Sequence, residues 1–103
     1  MVAAGRQTLE LIAPKWRLEV LFLLSRGTRR HGELYRDLGT ITKKVLTQTL
    51  RGLEADGLVA RNVYAEVPVR VEYLLTRLGW SLTSPLLALA DWGEGHLDQL
   101  RPT

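Results

Sequence analysis

The sequence runs to 103 residues, 46% hydrophobic and 24% charged, which suits one folded domain and argues against wholesale disorder. It holds no cysteine, so disulfides, thiolate metal sites and thiol redox chemistry are excluded within these residues. Net charge is a mild +3, and with no signal-like leader and no apolar run near the roughly 18 residues that span a bilayer, a cytoplasmic protein without membrane association is expected.

Leu9, Ile12, Trp16, Val20 and Leu23 recur at helical spacings, but Pro14 interrupts them. The pattern predicts a short helix to about Ile12 and a second from about Lys15 to Ser25, stopped by Gly27, with the first and last few residues as tails. After the basic pair Arg29 and Arg30, a two-turn helix over His31–Leu38 puts Leu34, Tyr35 and Leu38 on one face and ends at Gly39. Thr42 is a good N-cap for the next helix, whose stripe Leu46, Leu50, Leu53 falls at i, i+4, i+7 before Gly57. Two such helices joined by a tight turn form a helix-turn-helix pair.

From Leu58 the pattern changes to β-branched and aromatic residues, Val59, Val63 and Tyr64, then Val69, Val71, Tyr73 and Leu75. They predict a hairpin turning over residues 65–68. Thr76 caps a last helix that Pro85 kinks or restarts, with Leu86, Leu89, Ala90, Gly93, Leu97 and Leu100 as its stripe. The fold class is α+β, mainly α: a winged helix-turn-helix with a two-stranded β wing. Its parts are the helix-turn-helix (about 31–56), the wing (about 58–75) and a last helix (about 76–100), in one domain over 1–103.

Positive charge is concentrated on one element. Between Leu38 and Leu53 the charged residues are Lys43, Lys44 and Arg51, with no carboxylate. At about 100° per residue Leu46, Leu50 and Leu53 share one face, and Lys44, Thr47, Gln48 and Arg51 fall opposite. Arg and Gln can bond bidentately to guanine and adenine edges, and Thr offers a hydroxyl and a methyl, so these four are the candidates for reading bases in double-stranded DNA. A solvated polar face is the plainer alternative. Thr42 and Lys43 at the helix start, Arg29 and Arg30 before the first helix of the pair, and Arg61 and Arg70 on the hairpin are the candidates for phosphate or wing contacts. His31 and His96 have no second ligand at i+3 or i+4, and no phosphate loop, nucleophile elbow or zinc signature occurs. Neither metal, cofactor nor catalysis is expected.

The segments Lys15-Trp16, Leu46-Thr47-Gln48, Leu53 to Val59, Glu66-Val67-Pro68-Val69-Arg70-Val71-Glu72-Tyr73, Leu75-Thr76 with Leu78-Gly79, and Ala90-Asp91-Trp92-Gly93 resemble the HxlR family of bacterial regulators in order and spacing. The wing segment followed by Leu-Thr-x-x-Gly is the most specific part, and the likeness covers nearly the whole chain. The resemblance implies a homodimer joined through its terminal helices, binding operator DNA as repressor or activator. On that basis Leu9, Ile12, Leu86, Leu89, Trp92 and Gly93 are candidates for the dimer surface.

Two departures bear on the mechanism. Many HxlR-like proteins sense oxidants through a cysteine close to the N-terminus, where this chain has Ala3; thiol gating is therefore not expected. His31 stands where the family usually has an aromatic, and it either loosens the packing or adds a donor near phosphate. An alternative mechanism has a small-molecule effector in an apolar pocket at the dimer interface, lined by Trp16, Trp80 and Trp92. Another makes the winged helix a protein-interaction module.

Overall fold

The computed structural model describes residues 1–100; the end of the domain expected over 1–103 lies outside them. In chain order the elements are α1 (Val2–Ile12), α2 (Arg17–Ser25), β1 (Arg29–Arg30), α3 (His31–Leu38), α4 (Lys43–Ala55), β2 (Val59–Tyr64), β3 (Arg70–Leu75) and α5 (Arg77–Leu100). Helix α1 takes in the N-terminal residues expected as a tail and buries none of its side chains. Helix α2 starts at Arg17 rather than Lys15, because Trp16 sits in the left-handed region at φ +80° and cannot extend a right-handed helix.

Helices α2 to α5 and the wing strands share a common core. Val20, Leu21 and Leu24 come from α2, Leu34 from α3, and Leu46, Leu50 and Leu53 from α4; Ile41, Leu58, Val59, Leu75 and Leu86 complete it. Leu86 is thus core and only 6% exposed, which corrects its assignment to the dimer surface: the stripe on α5 is shared between the core and the outside.

The expected two strands of the wing, β2 and β3, are joined by a third, β1, which the sequence pattern did not predict, in the order β1-β3-β2 among the described residues. Arg29 pairs with Tyr73 and Arg30 with Glu72, both antiparallel. A two-residue strand shows no alternation in sequence, and its ladder is made by backbone groups that any side chain leaves free. The wing hairpin runs from Val59 opposite Leu75 to Tyr64 opposite Arg70. Helix α5 continues through Pro85, at the cost of one backbone hydrogen bond to the carbonyl four residues earlier.

Helix α4, the wing and α5 meet at Leu58. Its N–H donates to the Leu53 carbonyl (3.0 Å) and its carbonyl accepts from Thr76 N–H (3.1 Å). The Thr76 hydroxyl donates to Gly57 O (2.6 Å) and caps α5 by accepting from Gly79 N–H (3.1 Å). Gly79 lies so close that an added Cβ would collide with the Leu58 carbonyl. Backbone cannot yield as a flexible side chain can. Gly79→Ala should therefore lower stability by about 3 kcal/mol in urea unfolding; a loss below about 1 kcal/mol would show that α5 can shift away from the junction.

Candidate nucleic-acid interface

Helix α4 is anchored on its leucine face and capped at its start, where the Thr42 hydroxyl accepts from Val45 N–H at 3.1 Å. This cap fixes where the first turn begins and leaves Thr42 at the mouth of the helix, where free N–H groups favour anions. On the outward face Lys44, Gln48 and Arg51 are exposed. Among the described residues none of these cations has a carboxylate within ion-pair distance. Lys43 extends over the Tyr35 ring, 5.5 Å from its centre, which holds its ammonium near the α3–α4 turn.

Thr47 differs from its three companions. It is half-buried, with its hydroxyl 3.0 Å from His31 Nε2 on α3. The two alternatives for His31 thus give way to a third: the ring is a polar strut between the helices of the pair. Burial, and then the Lys43 charge, push its pKa below the ordinary value of 6.5, favouring the neutral ring. Sequence alone could not pair residues 16 positions apart on different helices.

The wing arginines are placed otherwise than expected. Arg70 lies opposite Tyr64 in the ladder, and its guanidinium stacks 4.0 Å from that ring's centre. Its terminal nitrogens pair with Glu66 at 3.3 Å and Glu72 at 3.6 Å, and its Nε is buried with no hydrogen-bond partner among the described residues. Arg61 faces Glu54 of α4 at 3.7 Å. Both are partly neutralised by carboxylates, so Arg70 in particular is a brace within the wing rather than a free cation reaching for phosphate. The hairpin tip presents Val67 and Val69, both exposed.

Arg29 and Arg30 ride on β1. Arg29 Nη1 donates to Thr28 O at 3.2 Å, and the Arg30 N–H donates to Glu33 Oε1 at 2.8 Å, fixing the start of α3. The Arg30 side chain is exposed and lines an open polar hollow with Arg36. Arg36 was not among the expected contacts; its signal was its position on α3 away from Leu34 and Leu38. Arg17 was missed as well. It ties α2 to the end of α4 through Asp56 (2.5 Å) and to the end of α1 through the Leu11 carbonyl (3.0 Å).

Of the remaining candidates for the dimer surface none is fully buried, although Ile12 packs against the core. Leu9 is 55%, Leu89 52% and Trp92 48% exposed, while Ile12 and Gly93 are half-buried. The accessible surface is 7465 Å², against about 5,800 Å² for a compact monomer of this mass. The radius of gyration is 15.3 Å, against about 13 Å for a compact chain of this length. Helix α1 has no buried residue, and beyond Leu86 no described residue of α5 is buried.

An apolar groove of about 410 Å³ runs between α2 and α5, lined by Trp16, Leu21, Phe22, Leu86, Leu87 and Ala90 among others. Trp80 and Trp92 are not on its walls; Trp92 stacks instead on His96, with ring centres 4.7 Å apart. Among the described residues no group of His, Asp and Glu is arranged to hold a metal, and no helix is long and apolar enough to cross a membrane.

A family model described as HxlR-like helix-turn-helix matches residues 11–101. The chain is 46% identical over 93 residues to the uncharacterised HTH-type transcriptional regulator YtcD of Bacillus subtilis (strain 168), covering 90% of this chain and 74% of the relative. It is 48% identical over 92 residues to YkvN of the same organism, likewise described, covering 89% and 78%. Among solved structures it is similar to the redox regulator HypR in its reduced form, with TM-score 0.88, 40% identity, and coverage of 94% of this chain and 96% of that one. These likenesses agree with the winged helix-turn-helix built above from the residues.

The allocation of charge has a measurable consequence. In a salt titration of DNA affinity, Lys43→Gln should reduce the slope of log K against log salt by about 0.9, one phosphate's worth of counterion release. Arg70→Gln should leave that slope unchanged. An equal drop for both variants would contradict the reading of Arg70 as a brace.

Proposed function

The chain belongs to the HxlR-like helix-turn-helix family of transcriptional regulators, and from that premise we propose that it acts as a homodimer on operator DNA. Each copy lays α4 in a major groove of a pseudo-palindromic site, with half-sites about one helical turn apart. Lys44, Gln48 and Arg51 reach base edges, Thr47 offers its methyl and hydroxyl, and Lys43, Thr42, Arg29 and Arg30 hold phosphate. The working division is a helix-turn-helix over about 31–56, a wing over about 58–75 and a dimer-forming last helix over about 76–100. The observation that carries the reading is the outward face of α4, where cations and an amide without carboxylate partners among the described residues stand opposite the buried leucine stripe.

Dimerisation through α1 and α5 covers Leu9, Leu89 and Trp92 and accounts for the surplus surface of the single chain. Repression follows where such a dimer occupies a promoter in the cytoplasm. HypR is described as a redox regulator, but these 103 residues carry no cysteine, so any gating through them uses other chemistry. The apolar groove beside Trp16 favours a second reading, in which a small apolar effector binds there and shifts the spacing of the two reading helices.

The test is binding of the purified protein to DNA upstream of its own and adjacent genes, across a salt series and against scrambled DNA of equal length. Selective binding that weakens steeply with salt is expected, and no preference over the scrambled duplex would contradict the proposal. Arg51→Ala and Gln48→Ala should each cost about 1–3 kcal/mol on the preferred site and relax selectivity there, leaving binding to scrambled DNA much less affected. Equal losses on both duplexes would assign these side chains to phosphate instead.

A further inference from the structure

The bond between His31 and Thr47 joins the structural helix of the pair to the reading face. Thr49, two residues on, turns its hydroxyl back to the Val45 carbonyl at 2.8 Å, as helical threonines commonly do. Thr47 makes no such bond; its hydroxyl meets His31 Nε2 at 3.0 Å, the one hydrogen-bond partner it has among the described residues. A half-buried hydroxyl needs an acceptor for its single proton, and an unprotonated Nε2 supplies one. In that arrangement Thr47 donates to the ring, Nδ1 carries the ring proton, and only lone pairs remain on the hydroxyl for a base edge. Thr47 is then an acceptor, suited to the amino groups of adenine or cytosine.

Protonating the imidazole reverses the bond. Both ring nitrogens become donors, Nε2–H points at the Thr47 oxygen, and the hydroxyl proton is released towards DNA. Thr47 can then donate to an acceptor such as guanine O6 or thymine O4. We propose, building on the operator-binding function above, that His31 is a positioning residue for base selection, its protonation state setting whether Thr47 accepts from or donates to the base it faces.

The elements packed against α3 leave the ring's charge state to few groups. From α4, the Lys43 charge acts on it and, with burial, holds its pKa below the ordinary value. On α3 itself Glu33 is bonded to the Arg30 amide. On β1 Arg29 lies against Thr28 O, and on β3 Glu72 pairs with Arg70. From α2, Arg17 is paired with Asp56, and Glu19 lines the apolar groove. The neutral ring therefore prevails at neutral pH, and the protonated one forms only on acidification below the ordinary value of 6.5.

The test selects preferred sites from a pool of random duplexes with wild type, His31→Phe and Thr47→Val, each at about pH 7.5 and about pH 5. For wild type, one position in each half-site should change its preferred base class between the two pH values by about fivefold or more, with the other positions unchanged. Thr47→Val should lose preference at that position at both pH values, and His31→Phe should show a preference there that does not depend on pH. Circular dichroism and the remaining positions of the site report whether each variant still folds and binds. A wild-type preference that ignores pH, or a pH effect that persists in His31→Phe, would overturn the role of His31 while leaving the operator-binding reading intact. Absence of any preferred site for wild type would overturn both.

Discussion

The peptide of Leu58 is the constraint on which the geometry of the molecule depends. Its N–H closes the end of α4 on Leu53, and its carbonyl receives the strand that returns from the wing at Thr76. Gly79 then admits the first turn of α5 against that same carbonyl. Helix α4, the wing and α5 are thereby fixed to one backbone unit whose polar groups are both satisfied. A dimer joined through α1 and α5 can hold two reading helices at a set separation only if such a joint does not flex. The Thr76 hydroxyl, donating to Gly57 and accepting from Gly79, closes the joint from its other side.

Charge is divided between the parts with the same economy. The arginines of the wing are matched by Glu54, Glu66 and Glu72, whereas Lys44 and Arg51 on α4 have no carboxylate partner among the described residues. The hairpin thus carries an exposed apolar tip, Val67 and Val69, on an ion-paired stem. Arg70 stacked on Tyr64 keeps the two strands in register where the loop would otherwise fray, since directly opposed pairs carry much of a hairpin's stability.

Much of this was legible in the sequence. The leucine stripe of α4, Thr42 as its cap, the switch to β-branched residues at Val59 and the cap at Thr76 all depend on local spacing, and local spacing is what a sequence displays. What stayed hidden depends on contacts between distant residues. Strand β1 is too short to show a period. Leu86 belongs to a stripe that points both ways, so its place in the core rather than on the dimer surface is settled only by where α2 lies. Arg70 looks like any wing arginine until the ladder brings Tyr64 beside it. The partnership of His31 with Thr47 likewise requires the angle between α3 and α4. For the reading face the residue types were enough to nominate Lys44, Thr47, Gln48 and Arg51, but not to show that Thr47 is tied from behind while the others stand free.

The most direct measurement is a hydroxyl-radical and guanine-methylation footprint of the protein on its preferred duplex. The account predicts two protected major-groove segments related by a pseudo-twofold axis, with centres about one helical turn apart on one face of the DNA. A single protected segment, or protection confined to the minor groove, would contradict a dimer that reads DNA with two copies of α4.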